Sequence, residues 1–320
     1  MDSAPAAAAG GVCVCTYVFA VIGVVCSAYV ALSCLRFVCR LVKVYALSRP
    51  LHLYADLSKM GSWAVVTGAT DGIGKQYALQ LAEQGLNIVL IGRSPEKLKA
   101  TESEVRMRSN VQVKTVVVDY SGGREIYDDV ERELAGLEIG VLVNNVGMCY
   151  AWMFDEFLDV ERDLHLRMLN VNMMSCVAMT YIVLPQMVER KRGLVINIAS
   201  LAGVVPIPFM ATYSATKAFV CFFSRILEQE YEEKGIQFQV VTPGFVSTNM
   251  TSQIDVNAWC VTAETYVRSA IATVGLQSRT AGYLMHELMV AGFQLSSERA
   301  LCKELKNEMI KFKAKHCKSE

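Results

Sequence analysis

A tyrosine and a lysine lie four positions apart in the segment ATYSATKAF, residues 211–219. Four positions is about one helical turn, so in a helix Tyr213 and Lys217 project from the same side and can contact one ligand. A phenol can protonate an oxygen that gains negative charge, and a nearby ammonium is expected to lower its pKa from about 10 toward neutrality. Because this short motif is common by chance, its meaning depends on the elements around it.

Six short apolar segments alternate with helical patterns, and each predicts a buried strand. They are WAVVTGA, LNIVLIG, VKTVVVD, IGVLVNNVG, GLVINIAS and IQFQVVTPG. Strands that are apolar on both faces and separated by helix-length segments specify a parallel sheet covered by helices on both sides. The expected fold class is therefore α/β, a Rossmann-type doubly wound parallel sheet.

The segment TGATDGIGK directly follows the first predicted strand and precedes the helical segment QYALQLAEQG. Glycines at 68, 72 and 74 allow a tight turn and a close approach to a pyrophosphate, whose charge is stabilised at the N-terminus of the next helix. Strand, loop and helix occur in the order that a dinucleotide site requires. This order favours such a site over a glycine-rich turn without function.

The second predicted strand ends in LIGRSPEKL, where an acidic residue would bind the ribose 2′-hydroxyl of NAD. Arg93 stands there instead, and a guanidinium suits a 2′-phosphate through paired charge-assisted hydrogen bonds. Lys75 is a second candidate for the same phosphate. The sequence therefore predicts NADP(H) as the cofactor, with the alternative that Arg93 only solvates a loop.

Charge and composition exclude several classes of site. Lys plus Arg and Asp plus Glu both number 31, so the chain has no net charge and nucleic acid is not an expected partner. The four histidines lie far apart and no cysteines have zinc-ligand spacing, so no metal site is predicted. The eleven cysteines are expected to be free thiols in a reducing compartment.

The stretch from Val12 to Leu35 contains no charged residue, and a helix of that length spans about 30 Å of hydrocarbon. A cleaved signal peptide is the alternative, but the stretch is too long for an h-region and no basic residue precedes it. Basic residues follow it, so the positive-inside rule places the rest of the chain in the cytosol. These residues are Arg36, Arg40, Lys43 and Arg49. The predicted parts are an anchor (1–35), a juxtamembrane linker (36–60), a catalytic domain (61–300) and a basic polar tail (301–320).

The glycine motif, NNVG at 144–147, Ser200 and the Tyr213–Lys217 pair together resemble the short-chain dehydrogenase/reductase family over about residues 61–250. Within it, the anchor and segments such as HELMVAGF are similar to the membrane-bound 17β-hydroxysteroid dehydrogenases. The similarity is greatest to type 3, the testosterone-forming reductases, and then to type 12, the very-long-chain 3-oxoacyl-CoA reductases. Two features depart from that group: Pro243-Gly244 where Pro-Tyr is frequent, and a polar, basic tail where relatives are commonly apolar.

This resemblance implies that a ketone is reduced by hydride transfer from NADPH. Tyr213 would protonate the developing alkoxide, and Lys217 would hold the nicotinamide ribose. Ser200 would hydrogen-bond the substrate carbonyl, and Asn172 would hold a water in the proton path. The resemblance implies cofactor contacts from Gly68, Thr70, Asp71, Gly72, Ile73, Gly74, Arg93, Asp119, Asn145, Pro243, Gly244, Val246 and Thr248, together with Tyr213 and Lys217.

The first hypothesis is NADPH-dependent reduction of a 17-ketosteroid, of the androstenedione to testosterone type, at the endoplasmic reticulum membrane with the catalytic domain facing the cytosol. The alternative is a very-long-chain 3-oxoacyl-CoA reductase of fatty acid elongation, and a third is a catalytically inactive cofactor-binding scaffold. The complete tetrad disfavours the scaffold. A homodimer is one option for the assembly.

The steroid is preferred because the stretch from Phe245 to Val267 contains no Lys or Arg to meet the phosphates of CoA. Its apolar side chains are expected to suit an uncharged ligand. They are Met250, Ile254, Val256, Trp259, Val261 and Tyr266. The segment TSQIDVNAWCV within it is either a substrate lid or a surface loop.

Overall fold

The computed structural model describes residues 7–150, 155–251 and 254–316, which belong to two compact units, Met1–His52 and Leu53–Glu320. In the first unit, helix α1 (Ala7–Leu41) is followed by a π-helical segment (Val42–Leu47). Every side chain from Thr16 to Arg36 is exposed, and the span Thr16–Leu47 has a mean hydropathy of 2.4. This uncovered apolar helix is a candidate membrane span, as the sequence predicts, and it continues beyond Leu35.

Two parallel sheets are formed by the described residues of the second unit. Their strands are β1 (Trp63–Thr67), β2 (Asn87–Gly92), β3 (Val113–Val117), β4 (Ile139–Asn144), β5 (Gly193–Ile198), β6 (Ile236–Val241), β7 (Phe245–Ser247), β8 (Cys260–Thr262) and β9 (Arg279–Thr280). The central sheet has seven strands in the order β3-β2-β1-β4-β5-β6-β9, and the separate sheet joins β7 and β8. All six strands expected from the sequence are therefore confirmed, as β1 to β6.

Helices connect and cover these strands. They are α2 (Gly72–Glu83), α3 (Pro95–Arg108), α4 (Ile126–Leu134), α5 (Arg162–Leu169), α6 (Ser175–Glu189), α7 (Ala211–Tyr231), α8 (Ala263–Ile271), α9 (Leu284–Leu295) and α10 (Glu298–His316). The region Arg162–Arg190 is long and apolar enough to cross a membrane, but half of it is buried inside the protein. It is a core helix of the domain.

Successive side chains of β1 enter two separate cores. Val66 packs with residues of α2, α3 and α8 on one face of the sheet, whereas Val65 packs with residues of α4 and α6 on the other. Both valines are fully buried, and each such burial contributes about 1.5–3 kcal/mol. Both faces of the sheet are thus covered, which confirms the doubly wound α/β architecture.

Strand β1 pairs with β2 on one side and with β4 on the other, so the winding of the chain reverses there. In open parallel sheets, ligands bind in the crevice at the carboxyl ends of the strands at such a reversal. The glycine loop follows β1 and the NNVG segment follows β4. The topology therefore brings these two motifs to one edge of the sheet.

Candidate active site

A cleft of about 1210 Å³ opens at this edge of the sheet. Its walls include 15 of the 17 distinct residues assigned to catalysis or cofactor binding in the sequence analysis; Gly74 and Asn172 are not part of the wall. The structure thus brings segments that are distant in sequence together at one cleft, from the glycine loop to the loop after β6.

The glycine loop is shaped by close contacts on both sides. Gly68 and Gly72 have φ angles of +63° and +53°, which favour glycine, and Asp71 caps α2 by accepting a hydrogen bond of 2.7 Å from the Gly72 amide. A Cβ added to Gly72 would lie 2.8 Å from Thr248 Cγ2. The N-terminus of α2 thus lines the cleft through Gly72 and Ile73, and a helix N-terminus in this position can bind a pyrophosphate.

Gly74 allows the glycine loop to pack closely against the NNVG segment. A Cβ at this position would lie 2.3 Å from both Gly68 O and Asn145 Nδ2. Asn145 Nδ2 in turn donates to Thr67 O at 3.0 Å and to Gly68 O at 3.2 Å. Gly74 is therefore required because the NNVG segment is tied directly against the glycine loop, rather than because it touches a ligand.

Basic side chains gather at the end of the cleft next to β2. Arg93 and Lys97 line it, and Lys97 lies in the first turn of α3, whose N-cap is Ser94. Arg167 of α5 lines the same region. Asp119 accepts hydrogen bonds from the Ser121 amide and hydroxyl, and these bonds, with Arg93 and Arg167 nearby, lower the pKa of its carboxyl group. These groups fit the adenosine and 2′-phosphate of NADP(H).

Lys75, the second phosphate candidate from the sequence, has a different partner. Its ammonium forms an ion pair of 2.6 Å with Glu104 of α3, and it does not belong to the cleft wall. Lys97 lines the cleft instead and is the second basic candidate for the 2′-phosphate. Its signal in the sequence was its position just after Arg93 and Ser94, at the start of a helix.

Two of the four tetrad residues are adjacent at the centre of the cleft. Ser200 follows β5, and its Oγ accepts a hydrogen bond of 3.1 Å from the Ala202 amide. The Ser200 hydroxyl is close enough to lower the pKa of Tyr213, which lies in the first turn of α7 and is 8% exposed. A carbonyl oxygen in the cleft next to these two hydroxyls can receive a hydrogen bond and a proton.

Lys217 lies one turn along α7 from Tyr213. Its side chain is buried, and Nζ donates to Ile198 O at 2.9 Å while lying 5.8 Å from the Tyr213 ring centroid. Burial lowers the pKa of Lys217 to about 8. The pair suspected from its spacing is therefore brought together on one side of the helix.

The expected effect of Lys217 on Tyr213 is not the dominant one. Burial raises the pKa of the Tyr213 phenol above its ordinary value, the Cys149 thiol acts in the same direction, and the Ser200 hydrogen bond opposes them. Desolvation exceeds the influence of the ammonium because the phenol lies in an apolar cluster with Met168 and Met210. Tyr213 is therefore protonated at neutral pH, which is the form that a proton donor needs.

Asn172 lies in a π-helical turn, Asn170–Met174, which joins α5 to α6. Such turns are frequent at functional sites because they redirect a side chain. Asn172 Oδ1 accepts from the Met148 amide at 2.8 Å, and Nδ2 donates to Met148 O at 2.9 Å and Thr216 Oγ1 at 3.0 Å. The side chain thus holds the NNVG segment against α7, and its role in the proton path stays a prediction.

The loop after β6 closes the cleft opposite the glycine loop. Pro243, Gly244, Val246 and Thr248 line the cleft, and Asn249 donates a hydrogen bond to Asp71. This contact links the two loops across the expected position of the cofactor. The residues fit a dinucleotide along the whole edge, from Arg93 to Thr248.

The remaining end of the cleft is largely apolar and extends to the C-terminal helices. The apolar side chains there are Val205, Ile207, Met210, Met250, Ile254, Met289, Phe293, Leu305 and Met309. Glu308 and Lys311 of α10 also contribute to the wall. The segment after Glu298 is therefore a helix that lines the substrate end.

Only part of the apolar stretch after β6 contacts this cleft. Met250 and Ile254 line it, whereas Val256 and Trp259 are 58% and 46% exposed and lie outside its wall. Val261 and Tyr266 are buried in the protein core. The sequence pattern does not separate these three environments, because all of them tolerate apolar residues.

Within the described residues, no cluster of three or more His, Cys, Asp or Glu side chains could hold a metal ion.

Comparison with known proteins identifies the family. The model of the short chain dehydrogenase family matches residues 62–259. The chain belongs to this family. It is thus an NAD(P)-dependent oxidoreductase.

Three curated relatives share one name, very-long-chain 3-oxoacyl-CoA reductase. The chain is 49% identical to the Homo sapiens protein over 232 residues, covering 72% of this chain and 74% of that one. For the Rattus norvegicus protein the identity is 48% over 233 residues, with the same coverage of 72% and 74%. For reductase-B of Danio rerio it is 47% over 234 residues, covering 72% and 75%.

Two solved structures are similar in fold. A structure from work on 7β-hydroxysteroid dehydrogenase stereoselectivity has a TM-score of 0.71 and 25% identity, covering 78% of this chain and 99% of that one. A short-chain dehydrogenase from Sphingobium yanoikuyae in complex with NADPH has a TM-score of 0.61 and 30% identity, covering 66% and 83%.

Proposed function

We propose that the protein reduces very-long-chain 3-oxoacyl-CoA thioesters to the 3-hydroxyacyl thioesters with NADPH. The observation that carries the proposal is the identity of 47–50% to proteins of that name across 72% of the chain. This revises the preference stated from the sequence, because the steroid hypothesis receives support only as far as the oxidoreductase class. The apolar substrate end, bounded by α9 and α10, suits an acyl chain.

Each tetrad residue has a step in this reaction. Bound NADPH supplies the hydride to the C3 carbonyl carbon. Ser200 donates a hydrogen bond to the carbonyl oxygen, and Tyr213 transfers its proton to that oxygen as the hydroxyl group forms. Lys217 holds the ribose next to the nicotinamide, and Asn172 fixes the segment at Met148 that borders the reacting atoms. The tyrosinate then regains a proton from solvent.

The missing basic residues after β6 no longer argue against a CoA thioester. Lys311 reaches the cleft wall from α10, outside the stretch from Phe245 to Val267, and Lys306 lies 5.7 Å from the ring centroid of Phe209. The Lys311 ammonium forms an ion pair of 2.6 Å with Glu308, which also lines the cleft, and Lys306 is not part of the cleft wall. Both lysines belong to α10 and offer positive charge to the phosphates of CoA, and a phosphate has to displace Glu308 to bind Lys311.

Reduction of a 17-ketosteroid is the second candidate. The observation in its favour is the apolar substrate end together with the fold similarity to a hydroxysteroid dehydrogenase structure at a TM-score of 0.71. A rigid sterol and an acyl chain both require apolar walls around a polar catalytic end. The measured turnover of a steroid and of an acyl-CoA thioester distinguishes the two candidates.

The decisive experiment compares the two substrates on one preparation. The full-length protein in microsomes is given NADPH with either a long-chain 3-oxoacyl-CoA or androstenedione, and the products are quantified by mass spectrometry. We expect kcat/KM for the thioester to exceed that for the steroid at least about tenfold, or ~1.4 kcal/mol in transition-state binding. Faster reduction of the steroid would replace the proposal by the second candidate. Microsomes carrying Tyr213→Phe provide the background rate.

We further propose that α1 anchors the enzyme in the endoplasmic reticulum membrane with the catalytic unit in the cytosol. The apolar span Thr16–Leu47 and the basic residues that follow Leu35 support this orientation. The protein should remain in the membrane pellet after alkaline carbonate washing, and protease added to intact microsomes should digest the catalytic unit. A protected catalytic unit would invert the orientation, and release by carbonate would exclude the anchor. The homodimer stays a prediction.

A further inference from the structure

His286 is a buried histidine of α9 whose two ring nitrogens bind two different segments of the cleft region. Nδ1 lies 3.2 Å from the Gly244 amide nitrogen, and Nε2 lies 3.0 Å from Trp259 O. The side chain is 1% exposed. The imidazole is thus placed between the loop after β6 and the residue that precedes β8.

The partners determine the proton positions on this ring. An amide N–H can only donate, so Nδ1 must be the acceptor, and a carbonyl oxygen can only accept, so Nε2 must carry the proton. His286 is therefore a neutral imidazole in a single tautomer. Burial also lowers its pKa, which keeps it neutral.

The two segments joined by His286 are the two ends of one connection, which begins at Gly244 and ends at Trp259. These ends are close together because β7 and β8, which directly follow them, pair in parallel with Phe245 opposite Cys260. Between these points, Thr248 lies against the glycine loop, and Met250 and Ile254 line the substrate end. One imidazole thus fixes both ends of a segment that contacts the cofactor end and the substrate end of the cleft.

We propose that His286 is a positioning residue of the reductase: its Nδ1 holds the nicotinamide loop at Gly244, and its Nε2–H holds the substrate-side segment at Trp259. The fit is close, because a Cβ at Gly244 would lie 3.0 Å from His286 Cδ2. The rings of Tyr266 and Tyr283, with centroids 5.6 Å and 5.4 Å from that of His286, fix the imidazole from two sides. No catalytic step passes through His286 itself.

Two amide variants separate the two hydrogen bonds. In His286→Asn, the side-chain oxygen lies near the position of Nδ1 and retains the acceptor for Gly244. In His286→Gln, the side-chain NH₂ group lies near the position of Nε2 and retains the donor to Trp259. We expect His286→Asn to keep the Kd for NADPH within about twofold and to raise KM for the ketone roughly three- to tenfold. We expect His286→Gln to do the reverse, since one neutral hydrogen bond is lost in each case.

Kd is measured by NADPH fluorescence on the full-length protein without substrate, so this part of the test does not depend on the proposed thioester. KM is measured with whichever ketone the protein turns over. Tyr283→Phe keeps the neighbouring ring and both hydrogen bonds, and it should resemble the wild type. A parallel loss of both affinities in the two variants, or no loss in either, would overturn the proposal.

Nitrogen NMR of the histidines in detergent reports the tautomer of the wild-type ring directly. The resonances of His286, assigned by their absence from the spectrum of a folded His286 variant, should show a neutral ring protonated on Nε2 with Nδ1 as a hydrogen-bond acceptor. A ring protonated on Nδ1 at neutral pH is incompatible with the Gly244 bond and would refute the assignment.

Discussion

The catalytic lysine is expected to destabilise the fold that contains it. Lys217 is 4% exposed, and burial lowers its pKa from the ordinary value of 10.5 to about 8. At about 1.4 kcal/mol for each pH unit between these two values, holding the ammonium in the folded protein at pH 7 costs ~3 kcal/mol. The expected reason why the protein retains this unfavourable charge is that Lys217 binds the nicotinamide ribose.

Lys217→Met should therefore raise the stability of the cofactor-free protein while removing its activity. The substitution keeps an unbranched side chain but loses the hydrogen bond to Ile198 O, which is a loss of ~1 kcal/mol. The net gain is ~2 kcal/mol at pH 7. For a domain of this size, this corresponds to a rise in Tm of about 4–8 °C.

The pH dependence of this stability difference follows from the direction of the pKa shift. Because the folded pKa of about 8 lies below the unfolded value of 10.5, the unfolded chain binds more protons between these pH values. The stability contribution of Lys217 in the wild type therefore rises with pH through this window, and the advantage of Lys217→Met should shrink toward pH 10.5. Below pH 8 the advantage should be constant.

Thermal unfolding of the full-length protein in detergent, followed by intrinsic fluorescence at pH 7 and at about pH 10, measures this difference. Lys99→Met is the matched control, because Lys99 is exposed on α3 and its replacement should change stability by less than about 0.5 kcal/mol. If Lys217→Met is no more stable than the wild type at pH 7, or if its advantage does not depend on pH, the argument from burial is wrong.

Three further predictions concern the cofactor and the proton donor. Tyr213→Phe should reduce turnover to less than about a tenth of wild type while NADPH fluorescence titration gives an unchanged Kd, because it removes one proton donor and little packing surface; retained turnover would exclude the acid role. Arg93→Asp should lower the NADPH to NADH ratio of kcat/KM at least about tenfold, and the paired surface variant Lys75→Asp should leave that ratio unchanged. Gly74→Ala should destabilise the protein by ~1–3 kcal/mol in chemical denaturation and weaken NADPH binding, since its Cβ would lie 2.3 Å from Gly68 O. Gly292→Ala in α9 is the control: its Cβ would have nothing within 4 Å, and it should leave the protein no less stable because alanine favours a helix interior.

The sequence predicted the strands that are long and apolar on both faces, β1 to β6, because continuous burial leaves a clear pattern. It did not predict β9 or the β7–β8 pair, which have only two and three residues per strand. Elements this short carry no periodicity. Their pairing is determined by tertiary contacts, such as the position of Thr280 beside Val241 of β6.

The candidate site was predictable wherever backbone geometry restricts the residue type. Gly68 and Gly72 adopt positive φ angles, and the spacing of Tyr213 and Lys217 follows from the helix. Lys97 and Arg167 were missed because many surface positions accept a basic residue. The pKa of Tyr213 was also misjudged, since the extent of its burial depends on Met168 and Met210, which are distant in sequence.

The reaction and the substrate depend on different parts of this chain. The family model ends at residue 259, and the tetrad and the dinucleotide loops lie within it. The substrate end is completed by Met289 and Phe293 of α9 and by Leu305 and Met309 of α10, which all follow that point. Membership of the family therefore establishes hydride transfer but leaves the substrate open. The spacing of Leu301, Leu305 and Met309 indicates one apolar helical face in a segment that otherwise resembles a polar tail, and Leu301 is buried while the other two are half-buried. Specificity in this protein is consequently expected to respond to substitutions on that face without loss of the proton donor.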